Sequence, residues 1–413
     1  MNTQALPLIH YRALDLSDEK GFLCGRILGD FGAEVIKIEK PGGDRSRNIG
    51  PFYHDIPDPE KSLYWFAYNA NKRGITLNIE TKEGQEVFKR LAKDVDFIIE
   101  SFPPGYMAKL GLDYAVLSEL NPRIIMTSIT PFGQSGPYRD YKTCDLVYMS
   151  MGGSVYIAGD ADRAPLRLSI EQAYLQAGAQ AAAATMIAHH HRQTTGEGQY
   201  VDVSIEESAA CSAHLSSFFW DIGKDIAKRQ GSRVFRGKVS PRIIWHCKDG
   251  FFSWRIWVAG QGSKTKAMVE WMNSEGKGAD LQGIKWEEID FGEITQQQLE
   301  DWEESFTDFF LIHTKAEIYE EAIKRGMILF PVNNAKDLRE DEQLEARGFW
   351  KKIDHPELGT ALTYPGAALK SSKFYYGVRH RAPLIGEHNG EVYSHELGFS
   401  TEELIMLKEG GVI

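Results

Sequence analysis

The first half of this 413-residue chain alternates between helical and strand patterns, and this alternation limits the folds that it can adopt. Lys20–Phe31 carries apolar residues on one helical face, and Ala33–Glu39 alternates like a strand rich in β-branched residues. The same rhythm continues with a helix at Lys82–Asp94 and with strands at Ile75–Ile79, Val95–Glu100 and Ile124–Thr130. Strands that alternate with helices predict a mostly parallel sheet covered by helices, which is an α/β fold.

The character of the chain changes twice after this region. Ile170–Arg192 predicts a long Ala-rich helix, and Tyr200–Ile205 predicts a further strand. Between about Arg229 and Phe330 the chain is rich in tryptophan and in acidic helical segments, which favours a second, smaller α+β domain. Glycine and proline then interrupt the chain until a final helix at Thr401–Lys408.

The charge balance excludes several classes of protein. Lys and Arg number 47 against 58 Asp and Glu, a net charge of −11, so nucleic acid is not the expected partner. A small anionic ligand held by a local cluster of basic residues is compatible with this balance. No apolar run reaches about 18 residues and the start has no signal-peptide pattern, so we expect a cytoplasmic protein without a membrane partner.

Neither the cysteines nor the histidines predict a metal centre. The four cysteines, at positions 24, 144, 211 and 247, are widely spaced, which indicates reduced thiols. His189, His190 and His191 are adjacent, and adjacent helical residues point in different directions, so the three rings cannot share one ion.

Several of the 39 glycines lie at predicted strand–helix corners, with basic residues nearby. These corners are Pro41–Arg47, Asn69–Gly74 and Glu100–Gly105. Ligands of open α/β sheets bind beyond the carboxyl ends of the strands, where glycine allows close backbone approach and Lys or Arg neutralises phosphate. The corners therefore suit a polyphosphorylated nucleotide, although turn glycines beside solvated charges give the same pattern. Neither a dinucleotide-binding GxGxxG motif nor a P-loop is present.

Seven short segments, taken in order, carry a family resemblance that covers nearly the whole chain. They are Gly32–Glu39, Pro41–Asp44, Asn71–Arg73, Phe132–Tyr138, Thr195–Val203, Pro331–Asn333 and Ala382–His388. In their order and spacing the chain resembles the class III CoA-transferases, the family that includes formyl-CoA transferase, carnitine CoA-transferase and α-methylacyl-CoA racemase.

The resemblance implies an architecture that the patterns alone reach only in part. It implies a Rossmann-like large domain with a parallel sheet, a smaller inserted α+β domain, and two subunits interlocked as a dimer. Residues 1–225 would form the first part of the large domain and residues 226–335 the small domain. Residues 336–413 would provide a linker and the part that completes the large domain.

The resemblance also implies coenzyme A or an acyl-CoA as substrate, with no tightly bound cofactor. Matched position by position, the expected CoA contacts are Lys40, Lys72, Arg73, Phe102, Lys109 and Lys142. Lysine and arginine suit the phosphates, and Phe102 suits the adenine or the pantetheine. Taken singly, each lysine is equally consistent with a solvated surface charge.

The catalytic position of the family holds an unexpected residue in this chain. Transferases of the family use an Asp carboxylate, which attacks the donor thioester and forms a mixed anhydride. That Asp typically lies nine residues after a proline and twenty-two before the first glycine of the TGxGQ turn. Counting from Pro165 and from Gly196 leads in both cases to Tyr174, whose hydroxyl cannot form an anhydride.

Two other catalytic schemes fit less well. Glu171 lies one helical turn before Tyr174 and could substitute for the Asp if the helix start shifted, although acids also favour helix starts for electrostatic reasons. The racemase branch uses a His followed by Asp, and here Cys144 precedes Asp145. A racemase is therefore not expected, and Cys144 is more typical of a small buried thiol.

A retained fold without its nucleophile predicts a subunit whose homologous partner supplies the Asp, because some members of the family work as such heteromers. The donor would be a thioester such as succinyl-CoA, and the acceptor an acid that could be an aromatic succinate. The alternatives are a homodimeric transferase that uses Glu171 and a CoA-ester-binding protein without turnover.

Overall fold

The computed structural model describes residues 5–236 and 238–413, which form two compact units. The first unit combines the chain up to Val155 with 168–223 and 345–413, and the second combines 156–167 with 224–344. The predicted boundary at 225 lies two residues after the break at 223, whereas the predicted boundary at 335 lies nine residues before the break at 344. No local pattern in the sequence indicated that the short stretch 156–167 belongs with the second unit.

Six parallel strands form the sheet of the first unit. They are β1 (Arg12–Asp15), β2 (Glu34–Glu39), β3 (Lys72–Thr76), β4 (Phe97–Glu100), β5 (Ile125–Thr130) and β6 (Gln199–Ser204). Their order is β3-β2-β1-β4-β5-β6, and Leu14 on β1 lies opposite Ile36 on one side and Ile98 on the other. This is the doubly wound order: β2 and β3 extend the sheet on one side of β1, and β4, β5 and β6 extend it on the other side. The direction in which strands are added therefore reverses between β1 and β4. This order confirms the predicted α/β class with a parallel sheet.

The remaining strands are short and antiparallel. They are β7 (Ile244–Cys247), β8 (Gly250–Ser253), β9 (Phe330–Pro331), β10 (Trp350–His355) and β11 (Thr360–Pro365). The first three form a small sheet in the second unit, and the last two form a hairpin in the first unit.

Helices surround these sheets. In chain order they are α1 (Phe22–Asp30), α2 (Leu63–Asn69), α3 (Lys82–Ala92), α4 (Tyr106–Lys109), α5 (Tyr114–Leu120), α6 (Asp145–Met151), α7 (Ser154–Ile157), α8 (Gln172–Thr195), α9 (Ile205–Cys211), α10 (His214–Phe218), α11 (Ser263–Ser274), α12 (Gln296–Phe310), α13 (Lys315–Arg325), α14 (Ala335–Arg339), α15 (Glu342–Ala346) and α16 (Thr401–Glu409). Within the described ranges, none of these helices combines the length and the apolar character that a membrane span requires.

Two strand assignments differ from the sequence-based expectation. Strand β1, at the centre of the sheet, was not predicted, because its four residues Arg-Ala-Leu-Asp show no strand periodicity. Strand β3 begins at Lys72 instead of Ile75 and ends at Thr76. Asn71, just before it, has a positive φ of 62° and accepts the backbone N–H groups of Arg379 and His380. This long-range contact fixes the start of the strand and has no signature in the local sequence.

The two units have different cores. The sheet of the first unit is covered by α3 and α5 on one face and by α1 and α8 on the other. The core of the second unit is built from buried aromatic rings that pack mostly edge to face, including Trp245, Trp254, Trp271, Trp286 and Phe306. These tryptophans therefore contribute to packing, each burying a large apolar area.

Helix α8 lies directly against α1 at a glycine. A Cβ atom added to Gly178 would lie 2.8 Å from the Cβ of Leu23, so only glycine allows this close approach. At its other end, Arg192 is buried and pairs with Asp96 at 3.0 Å, and Gly196 ends the helix in a left-handed conformation. The helix is thus held against α1 near its start and beside β4 near its end, and its first turn holds Tyr174.

Candidate active site

A cavity of about 470 Å³ lies at the carboxyl edge of the sheet, where β1, β2, β3 and β4 end. We call it the carboxyl-edge cavity. Its wall includes Asp18, Glu39, Lys40, Asp44, Arg45, Glu80, Phe102 and Tyr106. It lies at the β1–β4 reversal, where the backbone N–H of Asp18 donates to Ser101 Oγ at 2.8 Å. This is the usual position of a ligand site in an open α/β sheet.

The charges of this cavity do not form the basic cluster that the sequence analysis expected. Its wall carries the carboxylates Asp18, Glu39, Asp44 and Glu80 but only two cations, Lys40 and Arg45. The cavity is therefore acidic on balance. Of the glycines at the predicted corners, Gly43 lines this cavity, and of the basic residues next to them, Lys72 and Arg73 lie elsewhere.

Both cations are already engaged at the mouth of the cavity. Lys40 Nζ lies 2.9 Å from Glu80 Oε1, and both side chains are about half exposed. Arg45 contacts Glu19 at 2.9 Å and Asp18 at 3.2 Å. Exposed pairs of this kind contribute about 0–1 kcal/mol, so they can exchange a carboxylate for a phosphate at low cost.

Phe102, a predicted CoA contact, lies in the wall and stacks on Tyr106 with ring centroids 4.6 Å apart. Its backbone N–H donates to Glu100 Oε2 at 2.7 Å. Glu100 is buried, and burial raises the pKa of its carboxyl to about 7, although Ser128 and that N–H lower it. The loop that carries Phe102 is thus held by a carboxyl group that titrates near neutrality.

Lys72 occupies a different environment from the one expected of a ligand contact. Its Nζ is buried and donates to Asp15 Oδ2 at 2.7 Å, Asn69 Oδ1 at 2.9 Å and the carbonyl of Phe22 at 3.0 Å. All three donors of the ammonium are used. Burial lowers the pKa of Lys72 to about 8, and Asp15 partly offsets this effect. As placed here, Lys72 supports the sheet and has no donor left for CoA.

The other three predicted cations also lie away from the wall of the cavity. Arg73, near the amino end of β3, pairs with Glu391 at 3.2 Å and Glu396 at 2.7 Å, and also with Glu34. Lys109, at the end of α4, and Lys142, in the loop before α6, are exposed. Of the six predicted CoA contacts, Lys40 and Phe102 both lie in the wall of the carboxyl-edge cavity.

Tyr174 lies in the first turn of α8, half-buried against Tyr148, with ring centroids 6.0 Å apart. The helix start is held by Asp145, which accepts the backbone N–H of Ala173 at 2.9 Å. Burial raises the pKa of Tyr174 above its usual range, and the carboxylates of Glu19, Asp145 and Asp18 raise it further. The hydroxyl therefore stays protonated and is a poor nucleophile.

Glu171 immediately precedes α8 and makes no capping hydrogen bond. Its side chain is half-buried on the side of α2, where burial raises the pKa values of Tyr64 and Tyr68 and the charge of Glu171 raises them further. Tyr174 also contributes to the raised pKa of Tyr64, so Glu171 and Tyr174 both lie near this tyrosine. Cys144 is exposed, and this corrects the expectation of a buried thiol.

Sequence reasoning missed the loop that follows β1. Asp18 lines the carboxyl-edge cavity, while Glu19 contacts Arg45 and contributes to the high pKa of Tyr174. The loop therefore connects the cavity with the start of α8. Detecting β1 would have exposed this connection, because the residues after a central strand face the ligand site of such a sheet.

A doubly wound sheet usually binds its ligand at the strand reversal, where this cavity lies, and similarity to known proteins narrows the class of protein. The family model described as CoA-transferase family III matches residues 13–389, so the chain belongs to this family.

Its relatives match over nearly their full length. The chain is 33% identical to the succinyl-CoA:(R)-benzylsuccinate CoA-transferase subunit BbsE of Thauera aromatica, over 98% of this chain and 97% of that protein. It is 31% identical to the succinyl-CoA–L-malate CoA-transferase beta subunit of Chloroflexus aurantiacus, over 100% and 99%. A crystal structure of a CaiB/BaiF family protein from Brucella suis superposes with a TM-score of 0.84 at 26% identity, covering 95% of this chain and 100% of that one. The chain is thus an enzyme component of the CoA-transferase type.

Proposed function

We propose that this chain is the subunit of a heteromeric class III CoA-transferase that lacks the nucleophile, and that a homologous subunit supplies the catalytic Asp. The observation that carries the proposal is Tyr174, a protonated phenol at the position that the family assigns to the carboxylate. The tight α1–α8 contact at Gly178 keeps the local scaffold intact around it.

The chemistry of the pair follows from the family mechanism. The partner's carboxylate attacks the donor thioester, forms a mixed anhydride and releases CoA thiolate. The thiolate attacks the carboxylate-derived carbonyl of the partner, forms an aspartyl-CoA thioester and releases the donor acid. The acceptor acid reverses these two steps, leaves as its CoA thioester and restores the carboxylate. This chain contributes a CoA-binding fold and is one of the two kinds of subunit in the proposed heteromer.

An exposed apolar segment supports the need for a partner. Along α10 and the turn after it, Leu215, Phe218 and Ile222 are 66%, 58% and 83% exposed. Contiguous apolar side chains at this exposure mark interaction sites more often than ordinary surface. We assign this segment to the interface with the homologous subunit, in the interlocked arrangement expected for the family.

We further propose succinyl-CoA as the donor and an aromatic succinate such as (R)-benzylsuccinate as the acceptor. The support is similarity alone, since three relatives of 31–33% identity are named as succinyl-CoA-dependent enzymes. Lys40 and Arg45 would exchange their carboxylate partners for the phosphates of CoA, with Phe102 beside them.

The test is co-expression with a homologous chain that carries Asp at the matched position, followed by an assay of CoA transfer from succinyl-CoA to (R)-benzylsuccinate. We expect the pair to be active and this chain alone to be inactive. Asp→Asn in the partner should abolish transfer, whereas Tyr174→Phe in this chain should change kcat by less than about twofold. Transfer by the purified chain alone, equal in the Tyr174→Phe variant, would refute the need for a partner.

One observation favours a second candidate, a homodimer that uses Glu171. This residue is half-buried, makes no capping hydrogen bond, and faces the tyrosines near Tyr174. Incubation with succinyl-CoA and hydroxylamine should then convert Glu171 to a hydroxamate that mass spectrometry detects. Glu206→Gln, which alters a half-buried acid at the start of another helix, is the control for Glu171→Gln. Tight CoA binding without transfer, alone or with any partner, would instead indicate a binding protein.

A further inference from the structure

A second cavity in the first unit has the opposite charge from the carboxyl-edge cavity. It measures about 260 Å³ and lies between the start of the β10–β11 hairpin and the segment that follows β11. Three cations line it: Arg347, Lys351 and Lys370. The described residues that line it include no carboxylate. We call it the hairpin cavity.

The three cations of the hairpin cavity lack counter-charges. None of them forms an ion pair with any residue in the described ranges, whereas Lys40 and Arg45 of the carboxyl-edge cavity are both paired. A bound anion would supply the missing counter-charge. In a chain of net charge −11, such a concentration of positive charge is locally unusual.

Part of the wall is aromatic and held in place by contacts with other residues. Phe374, Tyr375 and Tyr376 all line the cavity. Tyr376 and Phe374 pack against Phe31, with centroid distances of 4.3 and 6.2 Å, and the Tyr375 hydroxyl donates to the carbonyl of Val378 at 3.2 Å. These contacts fix three rings beside the three cations, and a planar ligand could stack on them.

A hydroxyl group completes the polar side of the cavity. Ser371 Oγ accepts the backbone N–H groups of Lys373 at 3.1 Å and Phe374 at 3.4 Å. Both bonds use its lone pairs, so its own O–H remains available as a donor toward the cavity. The lining thus combines cationic and hydroxyl donors with π surfaces.

We propose that the hairpin cavity binds a phosphorylated nucleoside, with its phosphate on Arg347, Lys351 and Lys370 and its base against the aromatic wall. Three cations match a phosphate dianion better than a single carboxylate, and two of them are lysines, which bind phosphate as point charges. The ligand is either a free mononucleotide or the nucleotide end of a CoA molecule. This inference does not depend on the proposed function.

Calorimetric titration of the full chain with AMP, 3′,5′-ADP and CoA tests the proposal. The test variant is Lys351→Gln/Lys370→Gln, and the control is Lys266→Gln/Lys277→Gln, which removes the same charge from exposed lysines that line no cavity described above. We expect the test variant to bind AMP about tenfold more weakly or worse, and the control to bind like the original chain. Unfolding curves of both variants exclude a folding defect.

The three probes distinguish the sources of the ligand. A loss of CoA affinity that parallels the loss for 3′,5′-ADP would identify the nucleotide end of CoA, and unchanged CoA affinity would identify a free mononucleotide. The proposal is overturned if AMP and 3′,5′-ADP do not bind at millimolar concentration, or if both double variants weaken binding equally. It is also overturned if (R)-benzylsuccinate binds in a Lys351- and Lys370-dependent manner while the nucleotides do not.

Discussion

Lys40 and Lys72 belong to neighbouring strands of one sheet, yet they occupy opposite environments. Lys40 follows the carboxyl end of β2, is half exposed, and pairs with Glu80 at the mouth of a cavity. Lys72 begins β3, and its side chain is fully buried against Asp15. The resemblance to the family assigned both lysines to CoA.

The difference follows from the position of each residue along its strand. A cation beyond the carboxyl end of a parallel strand faces the ligand crevice, whereas one at the amino end faces the interior or the opposite edge. The buried Lys72 side chain contacts the carboxylate of Asp15. Lys37 provides a second buried cation, with its Nζ 4.0 Å from Asp15 Oδ1. Burial would raise the pKa of Asp15, but Lys72 and Lys37 lower it below its usual value.

The largest effect is expected from breaking the buried pair. Lys72→Met leaves Asp15 buried with only the more distant Lys37, and the free energy of unfolding should fall by about 3 kcal/mol or more. Urea denaturation at pH 7 measures the change. The triple variant Asp15→Leu/Lys37→Met/Lys72→Met should recover most of the loss, because it removes all three buried charges. A Lys72→Met protein as stable as the original would mean that this pair is not structural.

A smaller effect is expected from Glu100, a buried acid that forms no ion pair with another described residue. Its folded pKa of about 7 exceeds the reference value of 4.5, so the folded state holds the proton more tightly than the unfolded chain does. The stability that this group contributes is complete below pH 4.5 and is lost as the pH rises through 7, by about 3 kcal/mol at most.

Glu100→Gln removes this titration. Unfolding free energies of the two proteins, measured between pH 4.5 and 8, should show the original chain losing stability relative to the variant as the pH rises. A pH-independent difference between them would contradict a raised pKa for Glu100.

The smallest change in stability is expected at the cavity mouth. Lys40→Gln should alter the free energy of unfolding by less than about 1 kcal/mol, because its pair with Glu80 is solvated. CoA binding, measured by calorimetry, should weaken by about tenfold if Lys40 contacts a phosphate. The control is Lys89→Gln, which removes the lysine of a different ion pair, on α3, and should leave CoA binding unchanged. Equal losses in both variants would exclude a specific role for Lys40.

The fold was more predictable from the sequence than the site was. Predicted elements such as Lys82–Asp94 and Ile124–Thr130 agree with α3 and β5 to within two residues, because their apolar periodicity is local. Strand β1 carried no such signal, and the loop after it, with Asp18 and Glu19, was missed as a consequence.

The sequence could not predict whether each basic side chain faces the cavity or pairs elsewhere, because this depends on partners that are distant in sequence. Arg73 pairs with Glu391 and Glu396, more than 300 residues away, and Lys72 pairs with Asp15. A run such as Asn-Lys-Arg-Gly indicates a corner with positive charge but does not show which way the charges face. Tyr174, in contrast, was located by counting along the chain, because one uninterrupted helix connects it to Gly196.

The crossing of α1 and α8 at Gly178 has a consequence for the history of this chain. Two backbones in contact, and not the residue at position 174, determine where the first turn of α8 lies. A duplicated gene could therefore lose its nucleophile in a single substitution and still encode a chain of the original shape. Under the proposed function, selection for assembly with a homologous subunit would preserve the glycine after selection for catalysis had ceased to act on such a copy.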